Sequence, residues 1–294
     1  MLKFAAVEAG GTKFLCGVFD EQRNLLAETR IPTTHPAETL SKVAAFFQKQ
    51  KCTFDSAGVA SFGPLDLDSS SSDYGKIVST PKSGWSNTDI LAAVKAACKA
   101  PTAIDTDVNA AALAEVRFGN AQGLQDACYI TVGTGIGVGI ISGGKILPSV
   151  MHPEAGHIRV PRYPGDHFEG VCAYHGDCVE GLASGPAIEK RWGQPAERLP
   201  ADHQAWDLEA HYIAHLCANL TYTIRPQRIV LGGGVFGQLR LYDKTRAVFS
   251  GLIAGYAPGP AGDPSTFLSE PGVIGSPGLL GAGELARDLR ANTP

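Results

Sequence analysis

Residues 127–141 have the sequence A-C-Y-I-T-V-G-T-G-I-G-V-G-I-I, in which a glycine-rich turn separates two apolar segments. The length and composition of these segments predict a strand, a turn and a second strand. Glycines at alternate positions let backbone N–H groups approach a bulky anion, and a triphosphate is the anion that we expect. The turn is not a Walker A loop, since no G-K-[ST] follows, and the lack of a following helix argues against a dinucleotide fingerprint.

A second glycine turn lies near the N-terminus. Residues 3–9 have a buried-strand pattern that leads into Gly10-Gly11-Thr12-Lys13, and residues 14–19 predict the returning strand of a hairpin. The hydroxyl of Thr12 and the ammonium group of Lys13 are suited to a phosphate, although such a turn can also simply reverse the chain. No long identity links the two halves of the chain, so we interpret the two turns as an architectural repeat.

A carboxylate lies where a predicted strand gives way to a predicted helix. The strand at 102–104 leads through Asp105-Thr106-Asp107-Val108-Asn109 into an alanine-rich helix, 110–118. Open α/β sheets place ligand-facing groups at such strand ends. Asp107 could instead cap the helix, but two acids and an amide within five residues exceed what a cap requires.

A metal site is predicted downstream of the second glycine turn. The candidate ligands are two imidazoles and two thiols, those of His157, Cys172, His175 and Cys178. The last three form a Cys-x2-His-x2-Cys motif, and the set has the spacing of tetrahedral zinc sites. Four protein ligands leave no place for an activated water, so we expect a structural metal. The alternatives are free thiols with a hydrogen-bonded core histidine, or replacement of one ligand by His152 or His167.

Composition limits the other possibilities. The chain has 294 residues, enough for one large or two moderate domains, and a formal charge of −4 without a basic run, which argues against a nucleic-acid partner. No apolar run approaches the ~18 residues of a membrane span. The seven cysteines are odd in number, and the five that lie outside the metal segment are scattered, which fits a reducing compartment. The chain enters a strand at once without a signal-peptide pattern, so we expect a cytoplasmic protein.

Other patterns predict a helix from a cap at Asn87 or Thr88 through Lys99, a helix over 181–193, and a strand over 225–231. The strand ends in a glycine triplet, 232–234, which can pass beneath a flat base or ribose or can form a tight corner. Trp85 fits stacking on a ligand and filling the domain surface equally well.

The motifs together resemble the ROK family of sugar kinases and repressors, and within it the fructokinase branch. The matching segments are E-A-G-G-T-K (8–13), S-F-G-P-L (61–65), S-T-P-K-S-G-W (79–85), D-T-D-V-N-A-A-A-L-A-E (105–115), T-V-G-T-G-I-G-V-G (131–139), H-P-E-A-G-H (152–157), C-A-Y-H-G-D-C-V-E-G (172–181) and L-G-G-G-V (231–235). The resemblance implies an α/β, two-domain, actin-like or ribonuclease-H-like sugar kinase fold with an active-site cleft between domains. The implied division is a small domain of residues 1–106 plus 279–294 and a large domain of residues 107–278.

The resemblance also implies roles for individual residues. Asp107 matches the catalytic base. The residues that match sugar-binding positions are Gly63, Pro64, Asp107 and Glu154. Those that match nucleotide-binding positions are Gly11, Thr12, Lys13, Gly133, Thr134, Gly135, Gly233 and Gly234. The zinc ligands of the family match His157, Cys172, His175 and Cys178.

The implied reaction is transfer of a phosphoryl group from ATP, with Mg2+, to the 6-hydroxyl of fructose. Glucose, mannose and N-acetylhexosamines are alternative substrates in the same family, and a homodimer is the implied assembly. A sugar-responsive repressor is a further alternative, but only seven residues precede Glu8, and we expect no DNA-binding domain there. Glu8 stands where much of the family has Asp, and the fructokinase-like members share this Glu. Whether Glu8 contacts the magnesium shell stays open.

Overall fold

The computed structural model describes residues 2–148, 151–256 and 258–292. Its strands are β1 (Lys3–Ala9), β2 (Lys13–Asp20), β3 (Leu25–Pro32), β4 (Ser56–Ser61), β5 (Lys76–Ile77), β6 (Thr88–Asp89), β7 (Thr102–Thr106), β8 (Ala127–Val132), β9 (Ile136–Ser142), β10 (Lys145–Ile146), β11 (Arg228–Gly232) and β12 (Leu268–Ser269). Its α-helices are α1 (Pro36–Lys49), α2 (Ile90–Cys98), α3 (Asp107–Phe118), α4 (Val179–Ala183), α5 (Gly185–Trp192), α6 (Ala205–Ile224), α7 (Arg240–Ile253), α8 (Pro264–Phe267) and α9 (Pro277–Ala291).

Two five-stranded sheets share one strand order. The first runs β3-β2-β1-β4-β7 and the second β10-β9-β8-β11-β12. In each, the central strand pairs antiparallel with the strand that follows its glycine turn and parallel with the next strand on its other side. The predicted architectural repeat is therefore confirmed.

The chain forms two compact units. Unit 1 comprises residues 1–114, 146–152 and 273–294, and unit 2 comprises residues 115–145 and 153–272. The sequence-based division after residue 106 and before residue 279 stays a prediction, since close packing does not by itself identify an independently folding domain. Among the helices of the described ranges, none has both the length and the apolar character that crossing a bilayer requires.

Strands β1, β2 and β4 of the first sheet are buried on both faces, which explains why their residues are largely apolar. Alternate residues of a strand point to opposite faces. Accordingly Val7 packs in a core with residues of α1 and α2, whereas Ala6 packs in a second core with Leu279 of α9. Trp85 belongs to the first core: it is fully buried and its indole N–H donates to the Thr34 carbonyl at 2.8 Å. Trp85 therefore fills the interior of unit 1.

Glycines allow α9 to lie directly on the sheet and on α3. A Cβ at Gly58 of β4 would lie 1.9 Å from the carbonyl oxygen of Ala282, and one at Gly281 would lie 1.9 Å from that of Ala110. Side chains at these positions would collide with backbone, which cannot rotate away. The close packing fixes α9 against the start of α3.

Three predicted boundaries were wrong. The N-cap of α2 is Asp89, whose carboxylate accepts from the Ala92 N–H at 2.8 Å, and not Asn87 or Thr88. Helix α3 begins at Asp107 and not at residue 110. The single helix predicted over 181–193 is two helices, because Ser184 is extended and caps α5 through the N–H of Ala187.

Two further differences concern the C-terminal third. The predicted strand over 225–231 begins at residue 228, because Arg225 has a φ of 55° and terminates α6 in the left-handed region. Helix α7 was missed, although the apolar side chains of Leu241, Phe249 and Ile253 recur on its buried face. That spacing was the available signal.

Candidate functional site

Asp107 is the first residue of α3 and is half-buried. It does not act as the cap, because the hydroxyl of Thr106 accepts from the Asn109 N–H at 3.1 Å. One oxygen of Asp107, Oδ1, accepts from the N–H of Val108 at 2.9 Å. The neighbouring side chains therefore stabilise the helix start, and the Asp107 carboxylate remains available for chemistry.

Burial raises the pKa of Asp107 to about 6, and the nearby carboxylate of Glu8 contributes in the same direction. Both effects disfavour the charged form, since burial removes water and Glu8 adds a like charge. A general base with a pKa near the working pH is ionised in a large fraction of the molecules and is still basic enough to accept a proton from the substrate. The environment therefore suits Asp107 to general-base catalysis near neutral pH.

Glu8 lies at the end of β1 against the N-terminus of α9. The Ser276 hydroxyl, which caps α9, donates to the Glu8 carboxylate, and a Cβ at Gly278 would lie 2.7 Å from Glu8 Oε1. Burial raises the pKa of Glu8, while the Ser276 hydrogen bond opposes that rise. Sequence reasoning did not find Ser276 or Gly278, which lie more than 260 residues from Glu8.

The first glycine turn is accessible and rigidly held. Gly11 and Thr12 are exposed, and Lys13 begins β2. Thr33 donates its hydroxyl to the Gly10 carbonyl at 2.7 Å and its N–H to the Thr12 carbonyl at 3.0 Å. With these carbonyls engaged, an approaching anion meets a turn of fixed shape.

The loop after β4 contains Gly63 and Pro64, joined by a cis peptide bond. His152 lies against this loop: its Nε2 accepts from the N–H of Leu65 at 3.1 Å, and a Cβ at Gly63 would lie 2.9 Å from that nitrogen. His152 therefore belongs to unit 1 and supports the Gly63–Pro64 loop.

In unit 2 the second glycine turn and the glycine triplet are neighbours. The N–H of Gly133 donates to the Gly135 carbonyl at 2.9 Å, and Thr134 between them is exposed. Gly233 has a φ of 91°, and a Cβ there would lie 2.4 Å from the carbonyl oxygen of Val132. Only glycine fits this left-handed, crowded position. Gly234 is exposed beside it, so the predicted nucleotide residues of unit 2 are brought together.

Glu180 links the second glycine turn to the metal-binding segment, and sequence reasoning missed it. Its Oε2 accepts from the Ile136 N–H at 2.9 Å, and its Oε1 lies 4.0 Å from Nε2 of His157. A Cβ at Gly135 would lie 2.7 Å from the same carboxylate. The available signal was its place two residues after Cys178. Glu154, by contrast, has an exposed side chain, and its carbonyl accepts from the His157 N–H at 2.9 Å.

The four predicted metal ligands converge in unit 2. Their ligand atoms all lie within 4.8 Å of one another, and the group consists of His157, Cys172, His175 and Cys178. Neither His152 nor His167 belongs to it. Sγ of Cys172 lies 3.7 Å from Nδ1 of His157 and 3.6 Å from Nδ1 of His175, and Sγ of Cys178 lies 3.4 Å from Nδ1 of His157.

Those spacings match a tetrahedral metal site. Zinc bonds of about 2.3 Å to sulfur and about 2.0 Å to nitrogen place the two ligand atoms roughly 3.5 Å apart. The mixture of thiols and imidazoles favours zinc over magnesium or calcium, which prefer oxygen. The Glu180 carboxylate near Nε2 of His157 occupies the position of an outer-shell partner that orients a ligating imidazole. The residues present therefore fit a closed, tetrahedral metal centre.

Comparisons with known proteins give concordant results. The ROK family model matches residues 4–288. The chain is 43% identical over 290 residues to a fructokinase of Zymomonas mobilis, with 96% of both chains covered. It is 39% identical over 293 residues to a fructokinase of Streptococcus mutans, with 98% of both covered. Its structure resembles that of a ROK family glucokinase from Streptomyces griseus in complex with glucose and AMPPNP, with a TM-score of 0.75, 25% identity, and 97% of this chain and 99% of that chain covered. The predicted α/β, actin-like fold is thereby confirmed.

Proposed function

The chain belongs to the ROK family, and we propose that it is an ATP-dependent fructokinase that phosphorylates the 6-hydroxyl of fructose. The observation that carries this proposal is the nearly end-to-end similarity to two bacterial fructokinases. The raised pKa of Asp107 at the start of α3 supplies the chemical support.

Asp107 is the proposed catalytic base. In the reaction, the 6-hydroxyl oxygen forms a bond to the γ-phosphorus while the bond to the bridging oxygen of ADP breaks. The hydroxyl proton passes to Asp107 as its oxygen attacks. Phosphoryl transfer requires little covalent chemistry from a protein, so alignment and charge stabilisation supply most of the acceleration.

The glycine turns are the proposed nucleotide-binding residues. Gly11, Thr12 and Lys13 offer backbone N–H groups, a hydroxyl and a cation to phosphate oxygens. In unit 2 the corresponding residues are Gly133, Thr134, Gly135, Gly233 and Gly234. Magnesium arrives with ATP and neutralises charge on the phosphates.

The proposed sugar-binding residues are Gly63, Pro64, Asp107 and Glu154. The exposed Glu154 carboxylate can accept hydrogen bonds from sugar hydroxyls. It precedes His157 by three residues in a segment whose end is held by the metal ligands. That attachment limits the positions open to Glu154, which reduces the entropy lost when a sugar binds.

A structural zinc ion held by His157, Cys172, His175 and Cys178 is part of the proposal. Bound there, it would cross-link the segment without taking part in the reaction, because four protein ligands complete its shell. We also propose a cytoplasmic homodimer that acts on small molecules and does not bind nucleic acid.

A coupled assay of ADP release tests the function. The purified protein is assayed with Mg-ATP and a panel of fructose, glucose, mannose and N-acetylglucosamine. We expect the highest kcat/KM with fructose, and fructose 6-phosphate as the product identified by mass spectrometry and NMR. A higher kcat/KM with another hexose would replace fructose as the substrate, and ADP release without any sugar phosphate would reject the kinase assignment.

A further inference from the structure

Unit 1 contains a cavity of about 160 Å³ beside the start of α3, which none of the roles above uses. It lies between the segment that follows the Gly63–Pro64 loop, the end of β7 and the first turn of α3. The lining residues that matter here are Leu67, Tyr74, Ile104, Asp105, Asn109 and His152.

Asp105 lines this cavity and has one carboxylate oxygen without a hydrogen-bond donor among the residues that the structure describes. The side chain is half-buried, and its Oδ1 accepts both from the Thr106 N–H and from Nδ2 of Asn109, each at 2.7 Å. Across the described part of the chain, no donor hydrogen-bonds to the second oxygen, Oδ2. Two bonds on one oxygen hold the carboxylate in place, and Oδ2 is left as a fixed acceptor.

Tyr74 lines the same cavity, and its hydroxyl lies near the Asp105 carboxylate. Its side chain is half-buried, and its hydroxyl has no hydrogen-bond partner among residues 2–148, 151–256 and 258–292. Burial raises the pKa of Tyr74, and the nearby Asp105 carboxylate raises it further, which keeps the hydroxyl protonated as a donor. The Tyr74 hydroxyl and Asp105 Oδ2 are accessible to water, which a ligand hydroxyl could replace.

Apart from Asn109 and His152, the rest of the lining is apolar: Leu67, Ile104, Ile146, Leu147 and Pro148. A group that suits both kinds of wall has an apolar carbon and a hydroxyl that can donate to Asp105 and accept from Tyr74. A hydroxymethyl group has this composition.

The cavity is within reach of a substrate that is held at Asp107. Asp105 lies in β7 two residues before Asp107, the first residue of α3, and two residues of chain span at most about 7 Å. That length is comparable with a hexose. One end of a sugar can therefore lie at Asp107 while its opposite end reaches the cavity.

We propose that this cavity binds the hydroxymethyl group of fructose that is not phosphorylated, with Asp105 as acceptor and Tyr74 as donor. The inference rests on the proposed function. Fructofuranose carries two hydroxymethyl groups, at C1 and C6, whereas an aldohexopyranose carries only the one that reacts. Tyr74 and Asp105 are thus specificity-determining residues that favour a ketohexose.

The test is a thermodynamic cycle between enzyme and substrate. Wild type and Tyr74→Phe are assayed with fructose and with 1-deoxyfructose, which lacks only the C1 hydroxyl. We expect the Tyr74→Phe substitution alone, or the loss of the C1 hydroxyl alone, to lower kcat/KM by about tenfold, through KM for the sugar. Making both changes together should lower it little further, since the hydrogen bond is already lost. The KM for ATP should stay the same.

Asp105→Asn provides a second variant, because its amide oxygen can still accept from Asn109 while the carboxylate charge is lost. It should also lower kcat/KM for fructose more than for 1-deoxyfructose. Tyr256→Phe is the matched control, since Tyr256 is exposed in unit 2. It should leave kcat and KM unchanged for both fructose and 1-deoxyfructose. Circular dichroism and melting temperature confirm that each variant is folded.

The outcomes separate the two proposals. If wild type phosphorylates fructose and 1-deoxyfructose equally well, or if the two changes are simply additive, the cavity does not bind the C1 hydroxymethyl group, although the fructokinase assignment stands. If wild type does not phosphorylate fructose, the proposed function fails and this inference fails with it.

Discussion

At the scale of single residues, the site depends on how its carboxylates are partnered. Asp105 is fixed by Asn109, and Glu8 is hydrogen-bonded by Ser276. Asp107 receives one local backbone bond and has a raised pKa. These three residues all carry a carboxylate, and they differ in proposed role because their surroundings differ.

Replacing Asp107 with Asn tests the catalytic base. The amide keeps the shape of the side chain but cannot take the proton, so we expect kcat to fall by about 100-fold to 10,000-fold. Fructose binding, measured by calorimetry, should change little because the amide still accepts and donates hydrogen bonds. Turnover near the wild-type level would remove Asp107 from this role.

The pH dependence of kcat/KM for the sugar tests the same group. Asp107 must be ionised to act as the base, so activity should be full well above pH 6 and fall as the pH drops through about 6, the raised pKa of Asp107. Glu8→Gln removes a like charge, so the pKa of Asp107 should fall and the acidic limb should move to lower pH. A limb that stays in place or moves to higher pH would show that Glu8 does not act on Asp107 in this way.

At the scale of elements, α9 positions the end of unit 1 that carries Glu8 and the proposed base Asp107. Its N-terminus holds Glu8 through Ser276, while Gly58 of β4 and Gly281 of α9 let the helix lie on β4 and on the first residues of α3. These contacts join segments that are far apart in the chain. A side chain that pushed α9 outward would therefore disturb Glu8 and the start of α3 together.

Gly281→Ala measures this packing. The added methyl would lie 1.9 Å from the carbonyl oxygen of Ala110, and we expect a loss of about 2–3 kcal/mol in the free energy of unfolding in urea. Gly251→Ala is the matched control, because Gly251 lies in α7 with nothing within 4 Å of the added Cβ. There alanine should stabilise by about 0.5–1 kcal/mol through helix propensity. Equal effects of the two substitutions would contradict the close approach of α9 to α3.

At the scale of the whole molecule, the four proposed metal ligands lie in or beside a segment that has little regular structure of its own. The segment from residue 158 to residue 178 contains no helix or strand assigned within the described residues. Chain ordering there costs entropy that few buried contacts offset, and an ion bound by the proposed ligands would supply free energy that stabilises the segment.

Elemental analysis and thermal unfolding test this contribution. We expect about one zinc ion per chain, and a clear fall in melting temperature after chelation or in Cys178→Ser, because metal binding to the folded state adds to its stability. Cys52→Ser, outside the cluster, should keep both the metal and the melting temperature. A metal-free protein with unchanged melting temperature and activity would refute the assignment.

The sequence alone determined the local features whose cause is local. Runs of apolar residues predicted β1, β2, β8 and β9, glycine turns predicted the two hairpins, and the spacing of thiols and imidazoles predicted the metal cluster, because in each case neighbouring residues carry the signal. Helix α7 and the break between α4 and α5 were missed, although their signals were local as well.

The tertiary structure alone decided which distant residues meet. Glu8 contacts Ser276, Gly281 makes room for Ala110, and Glu180 reaches the N–H of Ile136. No periodicity encodes such pairs, because burial and close approach depend on how separate elements pack. The pKa of Asp107 has the same origin, since its largest cause is loss of water on folding. The residue types thus determined which functional groups are available, and packing determined their contacts and the pKa of Asp107.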